Sequence, residues 1–272
     1  MKILSETLKY IFKNIVFVLV FAIIPACYIG GMLHPFSIVS YLTNYSTHQI
    51  NNFGDILGGL FGMGWMHVIV WIFAAIILII ILSAALGNIE NHFRSGKLNV
   101  SNSLGFINNN VLACSIYFLV YIAIYLIFKF LLGLVIFILH IVAGRLGQVA
   151  TPFLVVIVTL ISAVALLLFA FAIMFLLLGL VDTLNSGYSF RTSMSNASEL
   201  IQNNVLKLIM LIVIPFLIVI PLIVLGNLFA FASIANIVSL IILFAYFPVL
   251  AYTYYYEVSG ITRYDNIKRY YY

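Results

Sequence analysis

Long apolar runs alternate with short polar stretches along this chain, and the runs have bilayer length. Crossing a hydrocarbon core of about 30 Å takes about 20 apolar residues in a helix. Runs at 15–33, 66–86, 111–131, 153–181, 205–225 and 234–255 meet that requirement. They predict an all-α membrane protein with six transmembrane helices. The third run stays apolar as far as Ala143, too long for one straight crossing. Gly133 is a candidate break, after which the chain lies along the outer interface or extends the helix at a tilt.

The polar stretches carry a pattern of their own. Segments 4–15, 100–111 and 194–205 align without gaps. Ser5 and Asn14 recur as Ser101 and Asn110, then as Ser195 and Asn204. Leu4, Leu8, Ile11 and Ile15 correspond to Val100, Leu104, Ile107 and Val111, then to Met194, Ser198, Ile201 and Val205, with only Ser198 out of pattern. Steps of four, three and four residues mark one face of a helix. Each segment is too polar to span, and each leads into an odd-numbered run. The reading is an interfacial amphipathic helix that turns into the membrane at its Asn. Asn suits the corner because it tolerates the left-handed conformation and its amide can satisfy freed backbone groups. Leu8, Leu104 and Ile107 are expected to bury in the leaflet or under the bundle. Glu90, Asp182 and Glu257 end the even-numbered runs on the same side. The chain then divides into three repeat units, roughly 1–94, 95–190 and 191–272, of a single polytopic domain. Asn-rich loops before spans are the plainer alternative.

Charge changes the picture in two ways. Only 7% of the 272 residues are charged and 65% are hydrophobic, so lipid must be the solvent for most of the chain. The net charge of +5 does not point to nucleic acid, because the basic residues sit at the ends of the apolar runs. Lys2, Lys9, Lys13, Arg94, Lys97, Arg191, Lys207, Arg263, Lys268 and Arg269 fall on one side; Lys129 and Arg145 fall on the other. The excess of Lys and Arg on cytoplasmic loops places both termini in the cytoplasm of a bacterial-type inner membrane. Trp65 and the tyrosines of 252–256 are expected in aromatic belts. The lysines before the first run resemble a signal peptide, and Ile24-Pro25-Ala26-Cys27 resembles a lipoprotein box. Pro25 suits cleavage poorly, so an uncleaved, unlipidated N-terminus is expected. Cys27 and Cys114 both lie inside apolar runs and read as buried small residues without a disulfide framework.

The run Phe190-Arg191-Thr192-Ser193-Met194-Ser195-Asn196-Ala197-Ser198-Glu199-Leu200-Ile201-Gln202-Asn203-Asn204 resembles the stretch before the fifth span of YciC-like proteins. These are six-span bacterial inner-membrane proteins. The chain is also similar to the membrane domain attached to some glycerophosphodiester phosphodiesterases. The resemblance implies the architecture and carries no catalytic residue across. A Pro-Gly turn associated with the middle hairpin of such proteins is replaced here by Ala143-Gly144-Arg145-Leu146-Gly147.

Candidate chemistry is sparse. His67 could sense protons or bind an anion, though an interfacial His beside Trp65 and Trp71 is the plainer reading. Lys129 could attract lipid phosphate, against simple snorkelling at the end of the third span. His140 has the same plain interfacial reading. His34, His48 and Asp55 match no metal spacing. Gly54, Gly58 and Gly62 recur every four residues, a smooth stripe that could let helices approach within or between chains. Pro25, Pro215 and Pro221 interrupt spans, as broken transporter helices do, but static kinks are commoner. No Gly-x-Ser-x-Gly, P-loop or His-Glu-x-x-His motif occurs. Glu90, His92, Asp182 and Glu257 show no spacing of an acid–base set. The expected role is non-enzymatic: membrane-organising, scaffolding or lipid-interacting, without cofactor or metal. Its partners would be membrane lipids, with other membrane proteins or a second copy also open. The alternative is a small-solute transporter or channel.

Overall fold

The computed structural model describes residues 2–32, 53–61, 65–146, 151–202, 204–229 and 231–265. It is all-α, with no strand among these residues. We number the helices α1 (Lys2–Lys13), α2 (Ile15–Met32), α3 (Phe53–Phe61), α4 (Trp65–Ser95), α5 (Ser103–Leu146), α6 (Thr151–Ser186), α7 (Phe190–Gln202), α8 (Val205–Leu228) and α9 (Ala232–Val258). A 3₁₀ turn, Val100–Asn102, leads into α5. Among the described residues five helices, α4, α5, α6, α8 and α9, are long and apolar enough to cross a bilayer. The bent pair α1–α2 makes a sixth crossing when counted as one span.

The C-terminal helix α9 lies at the centre of the bundle. It packs against α1, α2, α6 and α8, so the first and last elements of the chain meet. Gly30 makes the α2–α9 contact possible, since a Cβ there would lie 2.9 Å from the backbone of Ile237. Small residues permit such close approach where no hydrophobic drive between helices exists. Gly226 does the same at the outer end, facing Ala235. The tyrosines of α9 are therefore not a belt. Tyr252, Tyr254, Tyr255 and Tyr256 are buried among other helices. Periodicity at a span end could not show that this span is ringed by protein instead of lipid.

Three further expectations are corrected. Gly133 does not break the third span, for α5 runs unbroken to Leu146. Asn110 is not a corner either: it sits inside α5, buried, with Nδ2 donating to the Ser83 carbonyl at 3.3 Å. Gly87 is the cause, because its missing Cβ leaves room for Phe106 and Asn110 against α4. Leu104, at 79% exposed, is not under the bundle, which leaves the leaflet as the place for its expected burial. At Asn204 the backbone has φ −138°, which is not left-handed.

The other two polar segments do form short helices that stop before their spans. Between α1 and α2 the chain turns by 88° at Asn14, whose Nδ2 donates to the Tyr10 carbonyl at 3.0 Å. The buried face of α1 is Ile3, Thr7 and Tyr10, one residue off the expected Leu4–Leu8–Ile11 face. In α7 it is Ser193, Ala197 and Ile201. Ile3 and Thr7 align with Ser193 and Ala197 under the same offset that aligns Ser5 with Ser195.

Candidate basal interface site

The end of the bundle that carries α1 and the chain's C-terminal stretch, here the basal end, collects most of the charge. Each descending span closes there with a left-handed glycine: Gly96 after α4, Gly187 after α6 and Gly260 after α9, with φ between 67° and 71°. Such caps end a helix sharply and let the following chain fold back. After Gly260 the chain crosses beneath α1 and α4. The Tyr264 amide donates to the Phe93 carbonyl at 2.8 Å, and the Arg263 guanidinium stacks 4.1 Å from the Phe93 ring centroid. Arg263 also grips Asp265 with two hydrogen bonds, 3.2 and 2.9 Å, and lies 3.7 Å from Glu6 of α1. Lys13 donates to the Asp265 carbonyl oxygen at 3.4 Å. Lys2 pairs with Glu257 at 2.6 Å. A cavity of about 200 Å³ lies among Lys2, Glu6, Tyr256, Glu257, Ile261 and Arg263.

Beside this clamp, the Tyr10 hydroxyl lies 3.0 Å from His92 Nδ1. Burial, reinforced by the Asp265 carboxylate and opposed by Arg263, pushes the Tyr10 hydroxyl well above the usual phenol range. It therefore stays protonated at ordinary pH and is able to donate to the imidazole.

A second polar knot joins α6, α7 and α9. Asp182 accepts from Tyr255 Oη at 2.8 Å and from Asn196 Nδ2 at 3.0 Å. Tyr256 donates to Asn185 Oδ1 at 3.1 Å, and the Tyr117 hydroxyl meets Thr183 Oγ1 at 2.9 Å. A buried carboxylate is costly unless hydrogen-bonded, and these donors satisfy it.

Each of the four groups weighed as an acid–base set has a partner of its own in this arrangement. Glu90 pairs with Arg94 at 2.8 Å, His92 with Tyr10, Asp182 with Tyr255, and Glu257 with Lys2. Glu90, Asp182 and Glu257 do all sit at the basal end, as the pattern of span-ending acids anticipates. Sequence reasoning missed Tyr10, Asn196, Arg263 and Asp265, since each meets a group on another element: Tyr10 meets His92, Asn196 meets Asp182, Arg263 meets Phe93 and Glu6, and Asp265 meets Lys13 through its carbonyl.

Other candidates fall elsewhere. Lys129 is only 2% exposed, with its ammonium 5.5 Å from the Tyr125 ring centroid. It does not snorkel from a span end, because α5 continues well past it to Leu146. Gly54 and Gly58 lie on the exposed side of α3, and a Cβ on Gly58 would meet nothing within 4 Å. The packed side of α3 is instead Ile56, which joins Leu132, Ile136, Val219 and Ile223. Gly62, His34 and His48 lie outside the described residues. His67 falls in the first turn of α4, and its side chain also lies outside the described part. Among the described residues no group of His, Cys, Asp and Glu could hold a metal ion. Both cysteines are free; Cys114 is buried among the helices, whereas Cys27 lies on the outward surface of the apolar helix α2.

Fold and site together define a multi-pass α-helical membrane protein with a charged, clamped base. No family model, curated protein or solved structure matches the chain.

Proposed function

We propose that this protein is a non-enzymatic, lipid-interacting organiser of the bacterial inner membrane, with its basal face in the cytoplasm and a YciC-like kinship. The observation that carries this reading is α1. It runs at 88° to α2, so it lies along the membrane plane when α2 crosses it. Its outward side presents Leu8 and Phe12, which continue into Val16 of α2, flanked by exposed Lys9 and Lys13. An apolar stripe beside lysines is how an interfacial helix engages acyl chains and anionic headgroups together. Lys2, Arg94, Lys97 and Arg191 also lie at this end, which is what the positive-inside rule asks of a cytoplasmic face. The non-enzymatic part is supported by the separate engagement of Glu90, His92, Asp182 and Glu257.

The test is lipid selection by the purified chain in nanodiscs assembled from mixed phosphatidylethanolamine and phosphatidylglycerol. Phosphatidylglycerol should be enriched around the protein. Each surface lysine is worth about 1 kcal/mol of attraction at low salt, and the K9Q/K13Q variant should lose that share. Equal lipid composition around both proteins would reject the reading.

One observation favours the transporter alternative. Lys129 is a buried cation on a membrane-spanning helix, and such residues often mark a solute path. Solute flux in liposomes that Lys129→Met abolishes would establish that alternative.

A further inference from the structure

We propose that His92 is a proton-operated latch: neutral, it holds the C-terminal strap 261–265 against α1 and α4, and its protonation lets the strap go. The latch is built into the fold and does not depend on what α1 engages outside it.

The His92 imidazole is buried, 6% exposed, where α4, α1 and the strap meet. Its Nδ1 lies 3.0 Å from the Tyr10 hydroxyl, and the two rings are 5.4 Å apart. The Tyr10 phenol keeps its proton, so it donates and Nδ1 accepts. Nδ1 accepts only in the neutral ring, with the ring proton on Nε2. A proton added at Nδ1 turns this acceptor into a donor, and the Tyr10 hydroxyl loses the group it points to.

The charges that face the ring oppose a proton there. Lys13 comes from α1, and Arg263 and Asp265 come from the strap. Asp265 is the carboxylate that acts on the ring, and Arg263 already holds it with two hydrogen bonds. Glu6 of α1 is turned to Arg263 at 3.7 Å. On α4 itself Glu90 pairs with Arg94. From α9, Tyr252 and Tyr256 bring neutral phenols, packed on Phe93. A charged imidazole would join Lys13 and Arg263 as a third cation in a buried place and compete with Arg263 for Asp265. Solvated in an opened base, the same imidazole meets none of this. The released state therefore takes the proton more readily than the latched one. By linkage, the latch is complete above the ordinary imidazole range near pH ~6.5 and weakens as pH falls through and below it.

The strap is the part that yields. Helix α1 is also packed along α9, which keeps it in place. The strap's holds on α4 gather at the residue next to His92: the Tyr264 amide on the Phe93 carbonyl and the Arg263 guanidinium on the Phe93 ring. Its hold on α1 runs through Lys13, on the Asp265 carbonyl oxygen, and Glu6. Every one of these groups lies within the set that a charged His92 would disturb. Gly260, at φ 67°, joins the strap to α9, and its missing side chain leaves the backbone free to swing there.

The experiment uses the full chain in nanodiscs, with nitroxide labels at the exposed positions of Lys97 and Tyr264 and with Cys27→Ala and Cys114→Ala to remove the native thiols. Pulsed dipolar spectroscopy reads the distance between the labels at about pH 7.5 and at about pH 5.5, on either side of the imidazole range. The ratio of long to short distances should rise about tenfold from the first to the second, the limit for one imidazole that takes its proton only when released. His92→Gln offers Tyr10 an amide oxygen and does not titrate, so its short distance should persist at both. Tyr10→Phe removes the donor and should move the transition up by about half a pH unit or more. A distance in the labelled His92 chain that stays the same at both pH values, or shortens in acid, overturns the proposal. So does a His92→Gln protein that opens as the His92 chain does. If His92→Gln does not fold, Tyr10→Phe decides, and an unmoved midpoint there overturns the latch.

Discussion

Tyr255 and Arg263 show how single side chains hold the base together. The Tyr255 hydroxyl is one of the donors on the buried Asp182 carboxylate. Tyr255→Phe leaves that charge short of a partner and should destabilise the protein by about 1.5–3 kcal/mol. Asp182→Asn keeps an acceptor for the hydroxyl and should cost less. Thermal unfolding in detergent ranks the two, and a Tyr255→Phe protein as stable as wild type would refute the role of the knot. Arg263 combines a two-pronged grip on Asp265 with stacking on Phe93. Lysine offers neither the fork nor the flat face. Arg263→Lys should therefore release the segment around 261–265 nearly as fully as Arg263→Ala. Limited proteolysis from the basal side measures this; a fully protected Arg263→Lys tail would contradict the geometry.

At the scale of elements, glycine positions separate contacts that matter from those that do not. Gly30→Leu drives a side chain into the backbone of Ile237, where nothing flexible can give way. It should split α2 from α9 and cost several kcal/mol, as overpacking and lost helix contact combine, about 1–3 from overpacking alone. Gly58→Ala has open space before it and should be silent or slightly stabilising, because alanine is the better helix former. Comparing the unfolding midpoints of these two variants tests which glycines pack helices. The Asn residues divide in the same way. Asn14 stands at an 88° corner, whereas Asn110 lies within a continuous helix. Spin labels placed on Ser5 and Val20 should move apart in Asn14→Leu if the amide bond to Tyr10 holds the corner. An unchanged distance would assign the bend to the α1–α9 packing alone.

For the whole molecule, the contact of Lys2 with Glu257 places both ends of the described chain on one face. With the bent pair α1–α2 counted as one span the crossings number six, an even count that agrees with this geometry. Reporter fusions after Lys97, Arg191 and Tyr272 should all read cytoplasm, and a fusion after Gly147 should read periplasm. A C-terminal reporter on the opposite side from the one after Lys97 would break the six-crossing count. Opposite polarity of the whole set would overturn the cytoplasmic assignment while leaving the fold intact.

The spans were legible in the sequence because burying a backbone in lipid demands a long apolar helix, and a run of that length has few other outcomes. The span-ending acids Glu90, Asp182 and Glu257 and the short helices before Ile15 and Val205 were legible for a related reason, since the interface enforces amphipathic patterning. Pairing was not legible. In a membrane span both lipid and protein neighbours are apolar, so hydropathy does not tell a helix at the centre from one at the rim. Only the tertiary structure decided that α9 is central, which turned its tyrosines from a supposed belt into buried donors for Asp182 and Asn185. It also decided that Asn110 would stay inside a helix, because Gly87, more than twenty residues earlier, offers the space beside it. Local pattern specifies what each segment can be in a bilayer; which segments touch depends on shape and on a few polar partners far apart in the chain.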